Sequence, residues 1–120
     1  MKNATKKIDA FFIEMRKQAE NGQQFPSGAN KAFWAWANRD RNCEDFLIEG
    51  SFWEREIHDF ISKLREAGVK SFIFSDTSTA LMYNIHGFVA EGCKMMGLAT
   101  FERKRFYETE IIQGIRFNIQ

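Results

Sequence analysis

The chain is poor in the residues that would commit it to a disulfide framework, a metal centre or a long linker. It holds one proline, two cysteines and two histidines in 120 residues. Cys43 and Cys93 stand 50 positions apart, without CxxC spacing and without histidines at zinc-ligand intervals. Two reduced thiols and no metal are therefore expected. Charge of one sign is also missing: 17 basic side chains face 16 acidic ones, with no long block of either. This balance argues against the strong field that nucleic acid or a membrane surface would require. No apolar run approaches the roughly 18 residues of a membrane span. The amphipathic N-terminal stretch carries Asp9, Glu14 and Arg16, so it does not read as a signal-peptide core. A cytoplasmic, bacterial-type address and no membrane association are the expectations. Repeats, linkers and low-complexity segments are lacking too.

Rings, by contrast, are abundant. Thirteen phenylalanines and three tryptophans, each able to bury roughly 150–250 Å², imply a core or an interface dominated by aromatic packing. With 44% apolar and 28% charged residues, a chain of this size suits one globular domain spanning residues 1–120.

The apolar periodicity divides the chain into elements. Ile8, Phe11, Phe12, Met15 and Ala19 fall at helical spacing between Thr5 and Glu20, and Asn21-Gly22 supplies a left-handed stop. Gln23 to Gly28 reads as a connector into a short second helix on which Phe33, Trp36 and Ala37 share a face and Trp34 points partly elsewhere. Arg39 to Asn42 is turn-like, and Asp45 to Glu49 fits a short strand or an extended arm equally well. Ser51 and Glu54 form a capping-box pattern ahead of Trp53, Ile57, Phe60, Ile61 and Leu64, a helix that Gly68 ends. Val69 to Phe74 reads as a central strand covered on both faces. Asp76, Thr77 or Ser78 then caps a helix with Leu81, Ile85, Phe88 and Val89 on its stripe, where Gly87 suggests close packing and Gly92 marks the end. Cys93 to Phe101 is expected as a strand parallel to the previous one through a right-handed crossover. Arg103 to Tyr107 reads as a charged turn, and Ile111 to Ile119 as an antiparallel edge strand. The expected fold is α/β: a mixed sheet of three to four strands with a βαβ unit and a C-terminal antiparallel strand, helices packed on the sheet. Phe60, Leu64, Phe72, Phe74, Leu81, Ile85 and Phe88 should form one buried cluster.

Site-like constellations are few. Ser75-Asp76-Thr77-Ser78-Thr79 joins the carboxyl end of a strand to a helix N-terminus, the usual place for ligands in open α/β sheets and a setting that favours anions. The same residues are also the best helix caps, Asp76 would repel a phosphate, and no glycine-rich loop accompanies them. His58 and His86 can be paired on paper with either cysteine, but no local signature of a nucleophile surrounds Cys43 or Cys93. Glu54, Glu56 and Asp59, and likewise Glu108 and Glu110, read as solvated carboxylates. Arg103, Lys104 and Arg105 among Phe101, Phe106 and Tyr107 suit a charged hairpin loop better than a nucleic-acid contact. Trp34, about 100° from Phe33 around its helix, is the best candidate for an exposed interaction anchor, with Trp36 beside it.

Two resemblances extend this reading. Phe52 to Lys104, with the pieces LREAGV, SDTSTALM and AEGCKMMGL, is similar to a family of small uncharacterised proteins from Gram-positive gut bacteria, some associated with mobile elements. That resemblance implies a shared fold and no activity. The order strand, helix and two antiparallel strands from Val69 to Ile119 resembles the C-terminal part of the GNAT-type acetyltransferase fold. That family's pyrophosphate loop, Q/R-x-x-G-x-G/A, has no match here. The function expected is a non-enzymatic protein-binding or regulatory accessory domain without a cofactor, engaging another protein or a second copy of itself. The alternative is a degenerate acyltransferase-like or anion-binding domain using the turn at Ser75 to Thr79.

Overall fold

Four helices pack on one four-stranded mixed sheet in the computed structural model, which describes residues 2–39 and 46–120, with side chains for 6–39, 46–103 and 106–120. The order is α1 (Lys2–Glu20), α2 (Ser27–Ala37), β1 (Phe46–Glu49), α3 (Glu54–Ala67), β2 (Ser71–Ser75), α4 (Leu81–Ala90), β3 (Lys94–Arg105) and β4 (Glu108–Asn118). The fold is α/β. In space the strands run β1-β2-β4-β3, with β1 parallel to β2, and β4 antiparallel to both of its neighbours.

Local signals explain most boundaries. Gly22 ends α1 at φ +95°, and Gly68 ends α3 at φ +90° with its N–H on the Arg65 carbonyl, a left-handed stop that glycine adopts without a Cβ clash. The stripe of α3 buries Ile57, Phe60, Ile61, Leu64 and Ala67. The cap of α3 lies two residues later than its Ser/Glu pattern suggested: Trp53 is the N-cap, and the carboxylate of Glu56, not Glu54, accepts the Trp53 N–H at 2.7 Å. Trp53 is consequently exposed and stands off the buried stripe. The start of α4 is also later than expected. Its N-cap is Ala80, because Asp76 and Ser78 close a turn of their own first.

The C-terminal strands depart furthest from expectation. The adjacent parallel unit is β1-α3-β2. Strand β3 shares the direction of β2, but β4 is inserted between them. So β4 is an interior strand, and the two edge strands are β1 and β3. Alternation of Ile115 and Phe117 with Arg116 and Asn118 correctly separated two faces, but alternation cannot tell an edge from an interior position. The charged stretch is strand rather than turn: β3 and β4 meet at a two-residue tip, Phe106-Tyr107, and Arg103 sits directly opposite Glu110 in the register. That cross-strand ion pair lets charged residues lie in a ladder.

The helix-side face of the sheet carries the main core. Phe88 of α4 is its hub, with ring centroids 5.0–5.5 Å from Phe52, Phe72, Phe74 and Phe117. Phe60, Leu64, Phe72, Phe74 and Phe88 are all buried there, while Leu81 and Ile85 lie half-buried at its margin. The opposite face holds a smaller cluster of Ile73, Phe101 and Ile112, with Leu47 and Ala99 against it and, among the described residues, no apolar side chain from a helix. The β3-β4 hairpin itself shields this cluster. Arg103 on β3 is bonded to Glu49 on β1, although those strands are three spacings apart, about 14 Å in a flat sheet. The distal hairpin therefore curls across the second face. It departs from β2 at Gly114, where a Cβ would lie 2.6 Å from the Phe74 carbonyl oxygen.

Candidate functional site

Curling of the hairpin creates a groove of about 840 Å³ along the free side of β1. One wall is α2, with Lys31, Trp34, Ala35 and Asn38. The floor is Leu47, Ile48 and Glu49, and the other wall is Phe101, Glu102 and Arg103. Helix α2 is held close to α3 because Gly28, in its first turn, presents no side chain to the Glu56 carbonyl oxygen; a Cβ there would stand 2.1 Å away.

Lys31, Glu49 and Arg103, which line the groove, are already engaged. Glu56 is almost fully buried and accepts hydrogen bonds from the Ser27 hydroxyl, the Trp53 N–H and Lys31 at 3.1 Å. Burial alone would push its carboxyl upward, but these donors outweigh burial and hold it below the usual carboxylate value. The reading of Glu54, Glu56 and Asp59 as a solvated set is thus corrected for Glu56. Lys31 also reaches the Ser51 carbonyl at 3.1 Å and lies 4.4 Å from the centre of the Phe52 ring. Arg103 bridges Glu49 and Glu110. What the groove offers outward is Trp34, whose ring is 58% exposed on the rim.

Trp36 is placed differently. Its Nε1–H donates to Asp9 at 2.8 Å, and its ring stacks on Phe12 with centroids 5.5 Å apart, fastening α2 to α1. The Ser75 to Thr79 turn is bonded mostly to itself and to β4. Asp76 accepts the Ser78 N–H at 2.9 Å and the Ser78 hydroxyl at 2.8 Å, and Ser75 donates to the Gln113 carbonyl at 2.7 Å. Thr77 and Thr79 are exposed on it.

Sequence reasoning missed a second groove, of about 830 Å³, between the starts of α3 and α4. Trp53 and Tyr83 line it, and the Tyr83 hydroxyl donates to Glu54 at 2.8 Å. Phe52 separates the two grooves and is pinned by Asn84, a fully buried side chain that accepts the Phe52 N–H at 2.7 Å and donates to its carbonyl at 2.9 Å. An asparagine one turn before Phe88 on an apolar stripe was the available signal for that clamp. Cys93 is a buried free thiol, pushed by burial up to about 11; Cys43 lies outside the described residues. His58 pairs with Glu91 at 3.0 Å on the surface, and that partner raises its pKa. Among the described residues no three His, Cys, Asp or Glu side chains gather as a metal site, and no helix is long and apolar enough to cross a membrane.

No curated protein and no solved structure matches the chain. A family model does match, over residues 31–119, an interval that contains every residue lining both grooves. The chain belongs to the DUF7698 family, a domain of unknown function.

Proposed function

We propose that this chain is a non-enzymatic protein-binding or regulatory accessory domain that docks its partner at the groove between α2, β1 and the curled hairpin. The observation that supports this most is Trp34, a large ring left exposed on the rim of a groove in which Lys31, Glu49 and Arg103 are already paired. General acid–base catalysis needs a titratable group free to exchange a proton with substrate, whereas Lys31, Glu56 and Arg103 are each held by two or more partners. A rigid aromatic rim with a polar surround is instead the make-up of a binding hot spot. The turn at Ser75 to Thr79 supports the anion-binding alternative less well, since Asp76 and Ser78 bond each other. A cytoplasmic bacterial setting, expected from the composition, suits such an accessory role.

The test is quantitative capture of partners from the source cell by wild type and Trp34→Ala, with light scattering across a concentration series to detect self-association. Loss of the captured protein, or of the oligomer, in a Trp34→Ala variant that melts like wild type is expected, because truncating a hot-spot tryptophan costs about 2 kcal/mol or more. Capture unchanged by Trp34→Ala would refute the assignment of this groove.

A further inference from the structure

We infer that the groove beside β1 takes an extended peptide segment of a partner protein as a fifth strand, hydrogen-bonded to the outer edge of β1. The inference rests on the reading that this groove is the docking surface. It specifies what enters.

Three consecutive residues of β1, Leu47, Ile48 and Glu49, line the groove. Successive side chains of a strand point to opposite faces, so a groove touching all three runs along the strand's edge and not over one face. The backbone settles which groups face it. The Gly50 N–H donates to the Ser75 carbonyl at 3.0 Å, and Glu49 is the register partner of Ser75. In a parallel ladder this phase turns the N–H and C=O of Ile48 toward β2 and those of Leu47 and Glu49 away from it. Two donors and two acceptors therefore lie on the groove floor, and no described residue bonds to them.

An unpaired strand edge between two walls is the geometry of peptide capture by strand addition, in which main-chain bonds supply affinity and alternate side-chain contacts supply selectivity. On the helix side an incoming side chain meets Trp34 and the small Ala35; on the hairpin side another meets Phe101. Both call for apolar residues at alternate positions. Of the charged residues that line the groove, Lys31, Glu49 and Arg103 are paired, while Glu102 stands exposed on the hairpin wall with no partner among the described residues. The segment is therefore expected to carry a basic residue.

Short random peptides displayed on phage are selected on the wild-type domain and counter-selected on Trp34→Ala, and a selected sequence is synthesised with one backbone N-methyl group at each position in turn. Strand addition predicts an alternating pattern: methylation at every second residue weakens binding about tenfold, and methylation between them has little effect. Amide exchange in the complex should slow at Leu47 and Glu49 and stay unchanged at Ile48, whose N–H already faces β2. A Trp34-dependent peptide that binds as a helix, or is indifferent to N-methylation, overturns strand addition and leaves the docking reading intact. A library without any Trp34-dependent binder also overturns it, and the capture experiment above then decides the docking reading alone. Protection of Leu47 and Glu49 that rises with protein concentration in the absence of peptide would assign the edge to a second copy and overturn the peptide as occupant.

Discussion

Glu56 shows how one buried carboxylate can organise a site. It ties α2 to the start of α3 through Ser27, Lys31 and the Trp53 N–H, and its pKa is lowered by those donors against the pull of burial. A group whose folded pKa is depressed contributes stability above its unfolded pKa and loses it as pH falls through the folded value. Glu56→Gln should therefore lower stability at neutral pH by roughly 1–3 kcal/mol, and the difference from wild type should shrink as pH drops below the ordinary carboxylate range. Urea denaturation at a series of pH values checks this; a deficit independent of pH would mean that Glu56 acts only by packing. Cys93 gives a second residue-scale prediction. With its thiol pushed up to about 11 and buried, it should react with a thiol reagent at neutral pH only as fast as the protein opens, and promptly in denaturant. Rapid labelling of native Cys93, located by peptide mapping, would contradict that placement.

Elements were legible where their signal is local. The helical stripes of α1 and α3 and the stops at Gly22, Gly68 and Gly92 depend on residues within a turn or two of one another. The close approach of α4 to α3 was legible from Gly87, whose added Cβ would stand 2.4 Å from Ile57 Cδ1. Gly28 was not legible, because its neighbours Pro26 and Ser27 read as a connector and its partner Glu56 lies far along the chain. The hairpin was mis-sized for a related reason: Glu102 and Arg103 interrupt an apolar pattern, and only the opposing strand shows that Arg103 is paired. The candidate site shared that fate. Trp34 was legible from its angle on α2, whereas the groove depends on a curled hairpin that no local pattern encodes. The two glycines now differ in a testable way. At Gly28 the obstacle is a backbone oxygen 2.1 Å away, so Gly28→Ala must part α2 from α3 and should cost about 1–3 kcal/mol. At Gly87 the obstacle is the end of a side chain, and the helix propensity of alanine, about 1 kcal/mol, offsets part of the strain. Thermal melts of the two variants should rank Gly28→Ala the less stable; the reverse order would place the tighter helix contact at α4.

At the scale of the whole molecule, the sheet has one face under helices and one under its own hairpin, and the two should fail differently. Phe72 stands in the ring cluster, with centroids 5.6 Å from Phe60, 5.2 Å from Phe88 and 5.5 Å from Phe117. Phe72→Ala should therefore cost about 3–5 kcal/mol and lower Tm by on the order of 10 °C, with all elements melting together. Arg103 is 29% exposed and holds the curled hairpin to β1 through Glu49 while pairing Glu110 across the hairpin. Ion pairs so open to solvent contribute roughly 0–1 kcal/mol, so Arg103→Ala should barely move the thermal midpoint. Its effect should be local. Without the link to Glu49 the distal hairpin, with its Phe101 and Ile112, is free to lift from Ile73 on β2 and Leu47 on β1, and regions with few buried contacts open independently of the global transition. Amide exchange of the distal β3 and β4 residues should accelerate severalfold in Arg103→Ala, while amides of α3 and β2 stay at the wild-type rate. Because the hairpin is also one wall of the groove, peptide binding should weaken in the same variant even though the domain stays folded. A uniform acceleration across all elements, or none in the hairpin, would mean that the second face is held by Phe101 packing alone and that Arg103 plays no part in shaping the groove.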